Sequence, residues 1–153
     1  MDKSNKAQAL KKCDLFRNLN DEQLSVIEEM CTSEVFEPGT IICKQDKKGE
    51  KVYVVEDGLV GIILEVGPLS QRQVQSASKY DVFGWSAMIE PFRYTATVKA
   101  IKKTTALAFN SKKLHDLYMT QPEIGCLISK GLNSVVARRL HEAYTQLLGV
   151  TRA

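Results

Sequence analysis

The sequence predicts an α+β fold, in which an antiparallel β-barrel lies between N-terminal helices and a long C-terminal helix. Turn signals such as Glu37-Pro38-Gly39 and Asp57-Gly58 separate short β-branched runs in the middle of the chain. Such turns join antiparallel strands, because proline presets φ and glycine accepts positive φ. Short strands at about 10-residue spacing favour a barrel or sandwich over alternating βα units. The 153 residues are expected to form one domain, with helices over 1–31, a barrel over 32–109 and C-terminal helices over 111–148.

Composition and charge narrow the class of protein. The chain carries 21 Lys and Arg residues against 18 Asp and Glu residues, and the basic residues are scattered. This distribution lacks the basic footprint of nucleic-acid binding, so we expect no direct nucleic-acid partner. No apolar run reaches the roughly 18 residues of a membrane span, and no signal-peptide core follows residues 1–6. The sequence therefore predicts a cytoplasmic protein without a membrane partner.

The cysteines and histidines do not form a recognisable metal or catalytic pattern. His115 and His141 fall in helical segments and have no His or carboxylate at ligand spacing, so no metal site is expected. No cysteine pair has the two-residue spacing of zinc or redox motifs. We interpret the four as buried structural thiols; they are Cys13, Cys31, Cys43 and Cys126.

Two helices are predicted before the barrel. Residues 1–13 are Lys-rich and suit a short helix or a frayed terminus. Asn20 is placed as the N-cap of a second helix, with Gln23 at the reciprocal capping position. Leu19 and Leu24 are spaced as the hydrophobic staple of the same helix.

Short apolar runs predict the strands of the barrel. The segment 71–78 is polar, with Val74 as its only large apolar residue, and is expected to be an edge or rim strand. The other runs alternate with turn signals and lie over 40–43, 52–55, 59–64, 95–101 and 105–109.

The C-terminal part returns to helical spacing. Ser111 is placed to cap a short helix, and Pro122 suits the first turn of a long one. Apolar residues then recur every three or four positions for about seven turns, longer than a barrel of this size needs. The distal part of this stripe either packs on the barrel or forms a homodimer seam, and we expect the seam. Its residues would be Val136, Leu140, Tyr144 and Leu147.

Six segments of the chain stand in an order and at spacings that point to one family. They are 35–42 (VFEPGTII), 52–60 (VYVVEDGLV), 81–84 (DVFG), 95–100 (TATVKA), 122–124 (PEI) and 137–140 (ARRL). Together they resemble the cyclic nucleotide-binding domain of the catabolite-activator and fumarate-nitrate regulator superfamily. The resemblance covers about residues 15–148, and it implies a jelly-roll barrel, a cupin-like double-stranded β-helix, followed by a dimer helix.

The resemblance implies a phosphate-binding cassette between positions 81 and 100. In the family, a short helix after the Phe-Gly step points backbone N–H groups at a cyclic phosphate, as helix N-termini do for anions. In the family, a Glu directly after the Phe-Gly step binds the ribose. An Arg just before the exit of the cassette pairs with the phosphate. This chain has Trp85 and Tyr94 at those two positions, so its cassette is divergent. The implied ligand-binding residues are Gly84, Trp85, Ser86, Ala87, Arg93, Tyr94 and Thr95.

Two of these residues admit opposite interpretations. Arg93 precedes the expected arginine by one position, and an extended backbone would turn it to the opposite face. A loop would allow it to reach a pocket anion. The Trp85 indole is donor-only, so it cannot replace a carboxylate, but it can stack on a ligand ring or fill the cavity.

The function implied is a regulatory sensor module. It would bind a cyclic nucleotide (cyclic AMP or cyclic GMP) or another small anion at the non-consensus cassette and signal through the C-terminal helix. No other cofactor is expected. One alternative is the ligand-binding fragment of a transcription regulator, since only residues 149–153 follow the long helix and a helix-turn-helix would need more. Another is a degenerate dimeric interaction module. A cupin-type enzyme is disfavoured because residues 32–109 contain no histidine.

Overall fold

The computed structural model describes residues 3–149, with the side chains of residues 3 and 4 left aside. Two helices, α1 (Lys3–Lys12) and α2 (Asp21–Met30), precede the sheets. The Asn20 side chain accepts a hydrogen bond from Gln23 N, and the Gln23 side chain accepts one from Asn20 N, at 2.8 and 2.9 Å. The capping box predicted for α2 is therefore confirmed.

Eight antiparallel strands form two four-stranded sheets. One sheet has the order β1-β8-β3-β6 and the other has the order β2-β7-β4-β5. A single apolar cluster includes residues of both sheets, among them Val54 and Val98. The strands are β1 (Cys31–Phe36), β2 (Ile41–Cys43), β3 (Lys51–Asp57), β4 (Val60–Gly67), β5 (Ser70–Ala77), β6 (Val82–Phe83), β7 (Thr97–Ala100) and β8 (Thr104–Asn110).

The jelly-roll class is confirmed, while closure of the barrel is not. The two sheets share a core but do not close on each other through paired strands within residues 3–149. Two of the four edge strands, β2 and β6, are short and have only three and two residues to pair. The polar strand β5 lies at an edge, as its composition predicts.

Two helices follow β8. The short helix α3 (Ser111–Thr120) is capped by Asn110, whose side chain accepts a hydrogen bond from Lys113 N at 3.0 Å. The prediction that Ser111 caps this helix was wrong, because its hydroxyl donates instead to the carbonyl oxygen of Gly49 at 2.8 Å. The long helix α4 (Pro122–Leu147) begins at the predicted proline.

The cysteines divide into two groups. Cys13, Cys31 and Cys43 are buried, as expected for structural thiols, whereas Cys126 is exposed and the prediction for it was wrong. Burial raises the pKa of both Cys13 and Cys43 to about 12. Within residues 3–149, no three or more His, Cys, Asp or Glu side chains lie where they could together hold a metal ion. No helix in the same range is long and apolar enough to cross a membrane.

Candidate functional site

The predicted cassette begins where β6 passes into a four-residue 3₁₀ helix, η1 (Trp85–Met88). Gly84 joins them with φ of 74°, in the left-handed region that favours glycine. A Cβ atom at this position would lie 3.2 Å from the carbonyl oxygen of Lys51 and 3.4 Å from Cε1 of Tyr94. Glycine is thus required both by the backbone conformation and by the closeness of its neighbours.

A small cavity lies against this turn, and we call it the cassette cavity. Its volume is about 40 Å³, which is enough for a water molecule but not for a nucleotide. The half-buried Trp85 is the largest side chain along its wall. The complete lining is Ile62, Gln75, Phe83, Gly84, Trp85, Ser86, Tyr94, Thr95, Ala96, Val98 and Arg139.

Five of the seven predicted ligand-binding residues meet at this cavity. Two do not line it, Ala87 and Arg93. Ala87 is buried, and its N–H donates to the carbonyl oxygen of Gly84 within the 3₁₀ turn at 3.1 Å. The exposed Arg93 donates from Nη1 to the carbonyl oxygen of Asp46 at 2.8 Å. The five residues at the cavity are Gly84, Trp85, Ser86, Tyr94 and Thr95.

The two ends of the cassette are tied together by side-chain hydrogen bonds. The Ser86 hydroxyl accepts from Thr95 N at 3.2 Å. The Tyr94 hydroxyl donates to the carbonyl oxygen of Lys51 at 2.7 Å and accepts from Lys51 N at 3.1 Å. Burial also raises the pKa of Tyr94 above its ordinary value, so this phenol is neutral. Tyr94 therefore braces the cassette and supplies no positive charge.

Arg139 is a site residue that the sequence-based predictions missed. It lies on α4, has only 7% of its surface exposed, and lines the cassette cavity. Its guanidinium donates to the carbonyl oxygens of Ser76 and Val82 at 3.1 and 3.2 Å. Burial lowers its pKa from the ordinary value, while Glu142, 3.5 Å away, opposes that shift. It is the one cationic side chain along this cavity among the described residues.

The sequence held a signal for Arg139. It lies four residues after the buried Val135 and seven after the buried Leu132, at spacings that place it on the same helix face. A charged residue on an apolar face needs polar partners, and here the partners are backbone carbonyls at the sheet edge. The Gln75 side chain completes this contact by donating from Nε2 to the carbonyl oxygen of Arg139 at 3.0 Å.

The helix α4 is thus fastened over the cavity, and it is also fastened to the N-terminal segment. Arg138 forms ion pairs with Asp14 and Asp81, each at 3.2 Å. Gly131 lies so close to Leu15 that a Cβ would be 2.2 Å from its carbonyl oxygen. Movement of α4 would therefore change its contacts with both the cassette and the N-terminal segment.

Beyond Arg139, α4 no longer contributes buried residues. Of the predicted dimer residues, Val136 is half-buried and packs on the core. Leu140, Tyr144 and Leu147 are 49%, 57% and 84% exposed. These three residues thus do not pack into the core of this chain. The alternative in which the whole stripe packs on the barrel is therefore wrong.

Two antiparallel sheets, a cassette turn and a covering helix define the class of jelly-roll ligand-binding domains. Within that class, residues 33–121 match the cyclic nucleotide-binding domain family, over more than half of the chain. The chain belongs to this family, as its sequence segments indicate. The family is a regulatory binding domain and is typically non-catalytic.

The chain is similar to several known proteins. It is 27% identical over 99 residues to the cGMP-dependent protein kinase, isozyme 1, of Drosophila melanogaster, a match that covers 63% of this chain but 13% of the kinase. A cyclic nucleotide-binding domain from Methylobacillus flagellatus superposes with a TM-score of 0.83 at 16% identity, over 98% of this chain and 84% of the other.

The N-terminal domain of a transcriptional regulator from Streptomyces coelicolor superposes with a TM-score of 0.68 at 23% identity, over 91% of this chain and 94% of that domain. Both structural likenesses concern the fold. The sequence relative is much longer than this chain, so its kinase activity is not carried over.

Proposed function

We propose that this chain is a regulatory module that binds a cyclic nucleotide, or another small anion, at the cassette cavity and signals through α4. The observation that carries the proposal is Arg139, a buried cation that lines the cavity and at the same time fastens α4 to β5 and β6. A ligand at the cavity and the position of α4 therefore share one side chain.

The proposed ligand contacts differ from the family's pattern. Gly84, Ser86 and Thr95 supply the backbone and hydroxyl groups of the site, and Arg139 replaces the missing cassette arginine as partner of the anion. Arg93 is not included, because its guanidinium is bonded to the carbonyl oxygen of Asp46. Trp85 lines the cavity where a base or ring would stack.

Signalling follows from the size of the cavity. A nucleotide does not fit in about 40 Å³, so its binding requires Trp85 and α4 to move outward. An anion offers Arg139 hydrogen bonds in which both partners are charged, whereas only the donor is charged in its bonds to the carbonyls of Ser76 and Val82. The ligand then favours the conformation in which α4 is released, as required of any ligand that shifts a two-state equilibrium.

Thermal melts test this proposal with cyclic AMP, cyclic GMP, the corresponding linear nucleotides and inorganic phosphate. At about 100 times the dissociation constant, a ligand stabilises by ~2.7 kcal/mol, which is a shift of roughly 5–10 °C for a chain of this size. We expect such a shift with a cyclic nucleotide or another anion of the panel. It should be lost in Arg139→Gln and retained in the neighbouring Arg138→Gln. A panel without any shift would refute the binding proposal.

We also propose that the distal part of α4 pairs with a second copy of the chain. Val136, Leu140, Tyr144 and Leu147 recur every three or four residues, as in a coiled-coil seam. The exposure of Leu140 and Leu147 leaves this seam without a partner in the described part of the chain. Sedimentation velocity should show a dimer that Leu140→Asp or Leu147→Asp dissociates, with Glu142→Asp as the control. Unchanged sedimentation in both Asp variants would refute the seam.

A further inference from the structure

A second cavity lies on the other side of η1 from the cassette cavity, and we call it the α3 cavity. Its volume is about 200 Å³, and it lies between the β2–β3 loop, η1 and α3. The two cavities share no lining residue. Ala87, which was predicted to face the cassette ligand, lines the α3 cavity instead.

Aromatic rings form one side of the α3 cavity. Phe92, His115 and Tyr118 all line it. The Phe92 and His115 ring centroids are 5.8 Å apart at 74°, and those of His115 and Tyr118 are 5.5 Å apart at 38°. Aromatic rings prefer such tilted contacts, so the ring of a ligand can pack against these side chains at a similar centroid distance. A cavity of about 150 Å³ accepts benzene in other proteins, so this one has room for a six-membered ring with one small substituent.

Charge decides what that substituent is. Lys48 and Lys112 line the cavity, and no carboxylate does. Neither lysine forms an ion pair with a described carboxylate. The Ser111 hydroxyl also lines the cavity but is already bonded to the carbonyl oxygen of Gly49. The two ammonium groups therefore attract an anionic substituent, and a carboxylate has one oxygen to offer to each of them.

We propose that the α3 cavity binds a monocyclic aromatic carboxylate. The ring lies against Phe92, His115 and Tyr118, and the carboxylate accepts hydrogen bonds from Lys48 and Lys112. This site is separate from the cassette cavity and does not depend on the function proposed for it. Because Ala87 and Met88 of η1 form part of the wall, a ligand here also contacts the back of the cassette turn.

Benzoate is the probe for this site, and histidine ring resonances in NMR spectra are the readout. The chain has two histidines, His115 at the cavity and His141 on the exposed face of α4. At constant pH, benzoate should shift the His115 ring protons saturably, with a dissociation constant at or below about 1 mM, and leave those of His141 unmoved. A His141→Gln variant assigns the two signals. Acetate, which lacks the ring, and benzyl alcohol, which lacks the charge, should each bind at least roughly tenfold more weakly.

Two pairs of lysine substitutions locate the contact. The double variant Lys48→Gln/Lys112→Gln should weaken benzoate binding at least roughly tenfold. The matched double variant Lys47→Gln/Lys113→Gln changes two exposed neighbours that do not line the cavity and should bind as the unmodified chain does. Melting temperatures verify that both variants are folded. The proposal is overturned if benzoate does not shift His115 saturably, if His141 shifts equally, or if both double variants bind with the same affinity.

Discussion

Replacing Arg139 by Met is the perturbation that the structure makes most informative. Met keeps the length and apolar stem of the side chain and removes the guanidinium. The carbonyl oxygens of Ser76 and Val82 then lose donors at 3.1 and 3.2 Å, and Gln75 remains bonded to the helix backbone. The substitution therefore tests the fastening of α4 without opening a large cavity.

The expected cost follows from these two bonds. A hydrogen bond from a charged donor contributes about 1.5–3 kcal/mol, and part of that is returned because Met removes the cost of burying a cation. We expect the free energy of unfolding to fall by about 2–4 kcal/mol, which is roughly 5–15 °C in melting temperature. The ion pair with Glu142 adds little to the free energy of unfolding, because the Glu142 side chain is nearly half exposed.

Urea unfolding followed by far-ultraviolet circular dichroism measures this cost, and Arg138→Met is the matched control. Arg138 is the adjacent residue and forms two ion pairs, but its side chain is 44% exposed. Its replacement should cost about 1 kcal/mol or less per pair. Hydrogen exchange should also increase in the second half of α4 in Arg139→Met. Equal costs for the two variants, with unchanged exchange in α4, would refute the reasoning.

Three further predictions concern packing and the thiols. Gly131→Ala should destabilise the chain by about 2 kcal/mol or more, because the new Cβ would lie 2.2 Å from the carbonyl oxygen of Leu15; urea unfolding measures it. Stability should decline as the pH rises from 9 towards 12. Burial raises the pKa of Cys13 and Cys43 to about 12 from an ordinary value near 9, so unfolding releases protons in that pH range. Cys126 should react with a thiol reagent in the native chain well before the buried cysteines.

Each of these predictions has a control on the same molecule. Asn133→Ala adds alanine to an exposed position of α4 and should not destabilise it, so an equal loss in both variants would contradict the packing argument at Gly131. The alkaline decline should become smaller in Cys43→Ala, and an unchanged slope would contradict the assignment. Cys126→Ser should remove the fast thiol reaction, and its persistence would contradict the exposure of Cys126.

The features that the sequence predicted correctly depend on local chemistry. The capping box at Asn20 and Gln23 and the start of α4 at Pro122 are properties of a few neighbouring residues. The edge position of β5 also follows from its own polar composition. Helical periodicity also accounts for the exposure of position 126. It lies between the buried Ile124 and Ile128, about half a helical turn from each, and therefore faces away from the core.

The features that the sequence did not predict depend on distant parts of the chain. Asn110 and Ser111 are both good capping residues, and the choice between them is decided by the contact of Ser111 with Gly49, sixty-two positions away. Arg139 is buried because carbonyls of Ser76 and Val82 lie opposite it. The lining of the cassette cavity likewise combines Ile62, Gln75 and Arg139 from three separate elements, which no local pattern contains.

Fluorescence of Trp85 tests the central claim most directly, because it is the only tryptophan in the chain and it lines the cassette cavity. Titration with cyclic AMP, cyclic GMP and inorganic phosphate should give, for at least one of them, a saturable change in emission as Trp85 leaves the cavity. The same titration of Arg139→Gln should require at least roughly tenfold more ligand. Unchanged emission with all three, at concentrations that shift the melting temperature, would place the ligand elsewhere and contradict the proposed site.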